Sequence, residues 1–418
     1  MGTVGIASPA MDFNESPDHA EFRAIARSWL ESVSEPARET EVPSSAIVAE
    51  WSPAEEAAKM AAAREWQRLK FDAGWAGITW PVAYGGRGGT TVESVIFAQE
   101  EAARDVPRGA LTVGLGWLGP MLLTLGTDAQ KQRYIRPMLR GDEVWCQLFS
   151  EPGAGSDLAG LATIAERDGD LWRLTGQKVW TTFGHMSDHA IVLARTDPDV
   201  PKHRGISAFV LDMDQAGVDV RPLRQMTGAQ NFNEVFLDGA VVAADQIVGG
   251  PGDGWRCAMV TFMHERSGGS GAEVGISKLV DLVAAGGHAG DANVRQELMR
   301  CYIGARTLAM SAQRILSAVL AGGAPGPEGS TMKLAYTNLT TRMADLALAV
   351  EGAAGMLAGD DAPLGGGWQS FFLGMPGIRI GGGTDDVQRN IIGERVLALP
   401  GDVRVDKDVA WRDVPRNS

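Results

Sequence analysis

Between Glu143 and Gly249 the spacing of apolar residues shortens from the three and four of helices to the two of strands, and after the turn PGDGW it lengthens again. That double switch divides the chain into three regimes. Up to Arg140 the pattern is helical, in HAEFRAIARSWLESV, EEAAKMAAAREWQRLKFDAG and TVESVIFAQEEAAR, broken by WPVAYGGRGGT with Pro81 and its glycines. The middle reads as short strands rich in β-branched residues, LWRLTGQKVWTT, HAIVLART, GISAFVLDM, VDVRPLRQ and NEVFLDGAVV, which predict a compact β-barrel or sandwich. Helical spacing then returns in WRCAMVTFMHERSGG, KLVDLVAA, VRQELMRCYIGARTLAMSAQRILSAVLAG and STMKLAYTNLTTRMADLALAVEGAAGML. The expected class is α+β multidomain: a helical domain over 1–140, a β domain over 141–250 and a helical bundle over 251–403, with 404–418 as a tail. A last helix is expected to end near Leu399-Pro400, and DKDVAWRDVPRNS is expected to fray.

At 418 residues with 44% hydrophobic content, the chain buries a large core. Its 38 basic against 52 acidic residues, a net charge of -14, disfavour nucleic acid or an anionic membrane as partner. Cys146, Cys257 and Cys301 are far apart and lack CxxC spacing, so a disulfide framework and a zinc site are not indicated and a reducing cytoplasm is expected. No leader pattern or long apolar run points to membrane insertion. His185 and His189, four residues apart around Asp188, match no metal motif and read as surface residues.

Two glycine-rich stretches carry the chemistry. IRIGGGTDDVQRNIIGER, Ile378 to Arg395, brings Gly381, Gly382 and Gly383 to the start of a helix, where a bare backbone approaches a ligand closely and helix N-termini attract anions. It has no following Lys-Ser/Thr and is not a P-loop. SEPGAGSD, beginning at Ser150, is a loop of glycines and small hydroxyls able to offer backbone N–H groups, and a strand pair with Trp180, Thr181 and Thr182 at its exit follows. Taken alone, that loop is an ordinary turn beside a core Trp.

Taken together, SEPGAGSDLAG, LTGQKVWTT, WPVAYGGRGG and TDDVQRNIIGERVLALP resemble, in order and separation over nearly the whole chain, the acyl-CoA dehydrogenase family. The resemblance implies an FAD-dependent oxidoreductase of lipid catabolism that converts an acyl-CoA thioester to the 2-enoyl-CoA, as in β-oxidation. It also implies a helical N-terminal domain, a middle β domain and a C-terminal four-helix bundle, a homotetramer or heterotetramer, and an electron-transfer flavoprotein as acceptor. Residue by residue, Phe149 and Ser150 match positions at the flavin ring, and Ser156 matches a serine near the ligand phosphates of cofactor and substrate. Trp180 matches the Trp beside the isoalloxazine, and Thr182 the Thr near its N5. A flavin needs a flat apolar wall and a few fixed donors, while the cofactor carries the redox chemistry.

The reaction needs a base, because the proton alpha to a thioester is weakly acidic and a carboxylate in a dry pocket suits its removal. Many members of the family place a Glu directly before the Gly-Thr of the C-terminal signature. Here that residue is Gly382, which cannot take a proton but offers a backbone N–H to polarise the thioester carbonyl. Other members mount the Glu, followed by Arg, on the helix after the β domain, and FMHERSGG puts Glu265 and Arg266 there. The resemblance thus implies Glu265 as base and Arg266 beside the thioester or pantetheine. Read alone, the pair is a solvated Glu-Arg dipeptide. Gly268, Gly269 and Gly271 follow, costing about 1 kcal/mol each in a helix interior, and suggest close packing or room for a wide acyl group.

Three departures bear on the adenosine end of FAD. SKLVDLVAAGGHAGDANVRQEL lacks the family's Arg followed by Phe-Gly, Glu351 replaces the Gln of the EGAAG motif that contains Gly355, and Asp386 stands two residues after the retained Thr384 where a Gln-like residue is usual. Two other readings stay open: a flavin monooxygenase or oxidase on the same fold, and a non-catalytic subunit of a heteromeric acyl-CoA dehydrogenase.

Overall fold

The structure, a computed structural model, describes residues 16–37, 50–107, 109–267, 275–320 and 326–415. The N-terminal region folds into α1 (Pro17–Val33), α2 (Pro53–Asp72), α3 (Thr91–Ala102), α4 (Gly119–Leu125) and α5 (Asp128–Arg140). Short local signals start these helices. Ser52 with Glu55, Thr90 with Glu93 and Thr127 with Gln130 each form a reciprocal capping box, the hydroxyl accepting from the third backbone N–H and the third side chain accepting from the cap's own N–H. Phe22, Leu30, Trp66, Trp75 and Phe97 form the core of this region, with Trp75 and Phe97 stacked at 5.2 Å. In the WPVAYGGRGG turn a Cβ on Gly86 would lie 2.3 Å from the Trp80 carbonyl oxygen, so only glycine fits.

Eight strands follow: β1 (Trp145–Leu148), β2 (Ile164–Asp168), β3 (Leu171–Thr182), β4 (His189–Arg195), β5 (Ile206–Asp212), β6 (Val218–Leu223), β7 (Phe232–Ala243) and β8 (Ile247–Val248). They run in the order β6-β7-β3-β2-β4-β5-β8, with β1 parallel to β4. Strands β4 and β5 are buried on both faces. Ala190, Val192 and Phe209 face the β core with Trp172 and Val235, while Ile191, Leu193, Ala208 and Val210 join Leu122, Ile135 and Cys257 in a second core shared with flanking helices. Their apolar runs are therefore nearly continuous rather than alternating.

The C-terminal helices are α6 (Gly254–Ser267), α7 (Ile276–Ala285), α8 (Ala292–Leu320), α9 (Gly329–Glu351), α10 (Gly367–Ile380) and α11 (Asp385–Ile391). Helix α9 packs against α7, α8, α10 and α11 around Leu279, Met343, Trp368 and Phe371. Helix α6 touches both β5 and α9 and so ties the β domain to the bundle. Cys146, Cys257 and Cys301 are all free and buried, and burial raises their thiol pKa values to about 12, 12 and 11. Among the described residues no helix is long and apolar enough to cross a membrane.

Two local expectations change, and one helix forms where the sequence pattern gives none. Residues 367–380 form helix α10 despite Pro376 and several glycines, because Trp368, Phe371 and Met375 recur on one buried face. The last helix ends its regular turns at Ile391 and widens into a π turn over Ile392–Val396. Among the described residues the tail does not fray: Ala410 bridges Pro201, Trp411 N donates to Val200 O at 3.0 Å and Arg412 N to Pro198 O at 3.1 Å, while 416–418 lie outside the described residues.

Candidate active site

The glycine loop is held from behind. Gly382 and Gly383 have φ of 65° and 91°, conformations that glycine adopts without strain, and Thr384 then caps α11, its Oγ1 accepting from Val387 N at 3.1 Å. Buried Gln388 donates from Nε2 to Gly382 O at 3.0 Å and Gly383 O at 3.3 Å. Asp385, also buried, accepts from Thr337 Oγ1 at 3.0 Å and Arg379 Nε at 2.8 Å, with Lys333 Nζ at 3.6 Å. Burial alone would raise the Asp385 pKa, but the Thr337 and Arg379 hydrogen bonds and the charges of Arg379 and Lys333 outweigh it and lower the value.

Helix α6 brings the carboxylate. Cys257, Ala258 and Thr261 are fully buried, and Phe262 meets Phe149 edge to face at 5.9 Å. Glu265 lies one turn further on the same helix face and is half-buried. Its Oε1 stands 3.3 Å from the point where a Cβ on Gly382 would sit. Neighbouring His264 has its pKa lowered by burial. The side chain of Arg266 and the glycines Gly268, Gly269 and Gly271 lie outside the described residues.

A buried ion pair joins the two β-domain segments. Lys178, with no exposed side-chain surface, donates from Nζ to Glu151 Oε1 at 2.8 Å and to Phe149 O at 3.1 Å. The Glu151 carboxylate also accepts from Ala162 N at 2.6 Å and Thr163 N at 2.9 Å. Desolvation opposes ionisation of both partners; the charge and hydrogen bond of Lys178 nonetheless keep the Glu151 pKa low, while burial lowers that of Lys178. Beyond Lys178, strand β3 bulges away from β7, and Val179 N donates to Ser150 O at 3.0 Å. Phe149 and Ser150 thus lie against Lys178 and Val179 of β3, just before Trp180 in the strand, while Thr182 closes the strand opposite Phe232. At the bulge Trp180 takes a φ of 63° and is 60% exposed, its ring edge-on to Phe232. A large side chain so placed costs free energy in both backbone and hydration.

Ser156 is exposed on the loop that follows. Gly153 and Gly155 lie in the same loop, neither has a positive φ, and a Cβ on either would meet no atom within 4 Å. Neither backbone conformation nor packing within the chain requires glycine there.

Other expected positions lie apart. Glu351 ends α9, 14 residues beyond Thr337, or about 21 Å along the helix, followed by Gly355 in a short 3-10 turn. Gln369 Nε2 donates to Glu351 Oε2 at 2.7 Å, whereas buried Oε1 has no partner among the described residues and burial raises the Glu351 pKa. Asp386 is exposed and pairs with Arg389 at 2.7 Å. His185 bonds Asn233 and Glu56 at 2.8 and 2.9 Å, linking α2 to the end of β3. Sequence reasoning missed the supports Asp385, Gln388 and the Lys178–Glu151 pair. Only their place inside the quoted motifs signalled them: Asp385 and Gln388 in IRIGGGTDDVQRNIIGER, Glu151 in SEPGAGSD and Lys178 in LTGQKVWTT.

Three family models cover the chain: "Acyl-CoA dehydrogenase, N-terminal domain" at residues 16–142, "middle domain" at 146–240 and "C-terminal domain" at 252–397. The acyl-CoA dehydrogenase IpdE1 of Mycobacterium tuberculosis is 38% identical over 398 residues, covering 93% of this chain and 99% of that protein. Among solved structures, the Tcur3481-Tcur3483 steroid ACAD aligns with a TM-score of 0.76 at 26% identity, over 94% of this chain and 100% of that one. The ChsE4-ChsE5 complex from Mycobacterium tuberculosis aligns at 0.73 and 27%, over 94% and 100%.

Proposed function

Because the chain belongs to the acyl-CoA dehydrogenase family of FAD-dependent oxidoreductases, we propose that it desaturates a branched or ring-bearing acyl-CoA thioester, with Glu265 removing the alpha proton. The flavin fits this chain. Trp180 offers an exposed flat ring directly after Val179, whose amide bonds Ser150, and the open sides of Gly153 and Gly155 admit a ligand. Phe149, Ser150, Trp180 and Thr182 would hold the ring, and Ser156 the phosphate region. Bound FAD supplies the acceptor, at N5, for the beta hydride.

A single relation carries the assignment of the base: the Glu265 carboxylate adjoins the vacant side-chain position of Gly382, the two places from which the family's base is mounted. The Gly382 N–H faces the developing negative charge on the thioester oxygen while Glu265 takes the alpha proton. The family resemblance assigns Arg266 a place beside the thioester or pantetheine. The missing side chain at 382 favours a wide acyl group in this reading, and the steroid ACAD among the structural relatives agrees with such a substrate. Kcat/KM over linear, branched and ring-bearing acyl-CoAs tests the substrate class. Anaerobic mixing of the flavin-loaded Glu265→Gln variant with acyl-CoA tests the base: bleaching slows about 10²- to 10⁴-fold, and near-normal bleaching excludes Glu265.

An electron-transfer flavoprotein is the proposed acceptor; rapid reoxidation by air would favour an oxidase or monooxygenase instead. Met299, Tyr302, Ile303 and Met310 form an exposed apolar stripe on α8, supporting assembly into a tetramer of identical or sister chains, which a native mass decides. Purification without flavin, or only with a sister chain, would support a non-catalytic subunit.

A further inference from the structure

The C-terminal tail lies across the root of the SEPGAGSD loop. Arg195, almost wholly buried at the end of β4, donates from Nη2 to Ala159 O at 2.7 Å and from Nε to Leu161 O at 3.1 Å. The indole of Trp411 covers this guanidinium at 4.3 Å and donates from Nε1 to Gly160 O at 3.4 Å. Three consecutive loop carbonyls are thereby held by one arginine and one tail residue. Lys202 adds a second tie, its Nζ lying 2.9 Å from Asp157 and 2.6 Å from Asp406. Asp157 directly follows Ser156. The tail is itself pinned to the turn between β4 and β5 by the Trp411 and Arg412 amides and by the Arg412–Asp199 ion pair.

We propose that residues 406–412 are a strap that positions the ligand loop, with Trp411 as its main positioning residue and Asp406 its second. The inference rests on the reading of Ser150–Ser156 as part of the acyl-CoA and flavin site. The strap touches no reacting atom. It holds the Gly160 carbonyl directly and backs Arg195 and Lys202, which hold Ala159, Leu161 and Asp157, so that the preceding stretch meets its ligand already ordered and the ordering entropy is not lost on binding. Its removal therefore weakens ligand binding and leaves the proton-transfer step almost unchanged.

The experiment uses the full-length, flavin-loaded protein and its Trp411→Ala, Trp411→Phe and Asp406→Asn variants, with amide hydrogen exchange of the 150–161 segment measured beside steady-state kinetics. In Trp411→Ala, exchange across this segment speeds up about tenfold while the rest of the β domain keeps its protection. KM for acyl-CoA rises about tenfold with kcat within about twofold of the parent. Trp411→Phe, which keeps a ring over Arg195, retains most of the parent's KM, and Asp406→Asn gives a smaller rise. Unchanged loop exchange in Trp411→Ala overturns the strap, as does a loosened loop with unchanged KM. The proposed function fails separately: if no acyl-CoA bleaches the parent protein, that reading falls, whereas loop exchange still decides whether the tail holds the loop.

Discussion

The Glu265 carboxylate and Gly382 face one another across two separate elements, Oε1 of the former 3.3 Å from the Cβ position of the latter. A side chain at 382 meets that carboxylate at once and must also adopt a φ of 65°. Gly382→Ala is therefore expected to lose about 1–2 kcal/mol of stability through the left-handed backbone alone, measured by denaturant unfolding. Unfolding that matches the parent would show that the loop does not hold that conformation.

Trp180 carries the opposite balance. Its backbone is strained and its ring exposed, so Trp180→Gly should keep or raise the stability of the flavin-free chain by about 1 kcal/mol. The same change should weaken FAD binding, read by flavin fluorescence titration. Unaltered affinity would remove Trp180 from the cofactor wall.

The Lys178–Glu151 pair should be the most sensitive point of the β domain. Lys178→Met leaves Glu151 charged and buried without its cation, at a cost of about 3–5 kcal/mol. Adding Glu151→Gln should recover part of this loss in a double-mutant cycle. Because the native Glu151 pKa is depressed, its contribution is present above the unfolded carboxylate range and is lost as pH falls through the native value. Acid titrations of the parent and the double variant should converge there.

Glu351 should behave in reverse. Its native pKa is raised by burial, so between the unfolded and native values the folded state binds more protons and stability falls as pH rises. Glu351→Gln removes that titration and should stabilise the chain at pH 7, with the difference closing as pH falls into the unfolded carboxylate range. A Gln variant less stable than the parent at pH 7 would mean that the bond from Gln369 to the carboxylate outweighs the cost of its burial.

The three-domain plan was legible because helical spacing stops at the β domain and resumes after it, and strands β3 to β7 match the runs read as strands, β4 and β5 by their β-branched content rather than by alternation. What local pattern could not show depends on tertiary contact. Helix α10 was hidden by Pro376 and its glycines, whose poor propensity is overridden by burial of Trp368, Phe371 and Met375. The tail reads as polar and exposed until Trp411 is seen against Arg195. At the site, Glu265 and Gly382 lie more than a hundred residues apart, and only the resemblance to a family coupled them in advance. Asp385 and Gln388 passed unnoticed because a buried Asp or Gln at a helix start looks the same in sequence as an exposed one.

The most direct measurement of whether these two positions serve one reacting centre is flavin bleaching by acyl-CoA in Glu265→Gln, with and without Gly382→Glu. The single variant should bleach about 10²- to 10⁴-fold more slowly than the parent. The double variant, with a carboxylate restored at the facing position, should regain a measurable part of the rate despite the strained backbone at 382. Near-normal bleaching in Glu265→Gln alone would contradict the account.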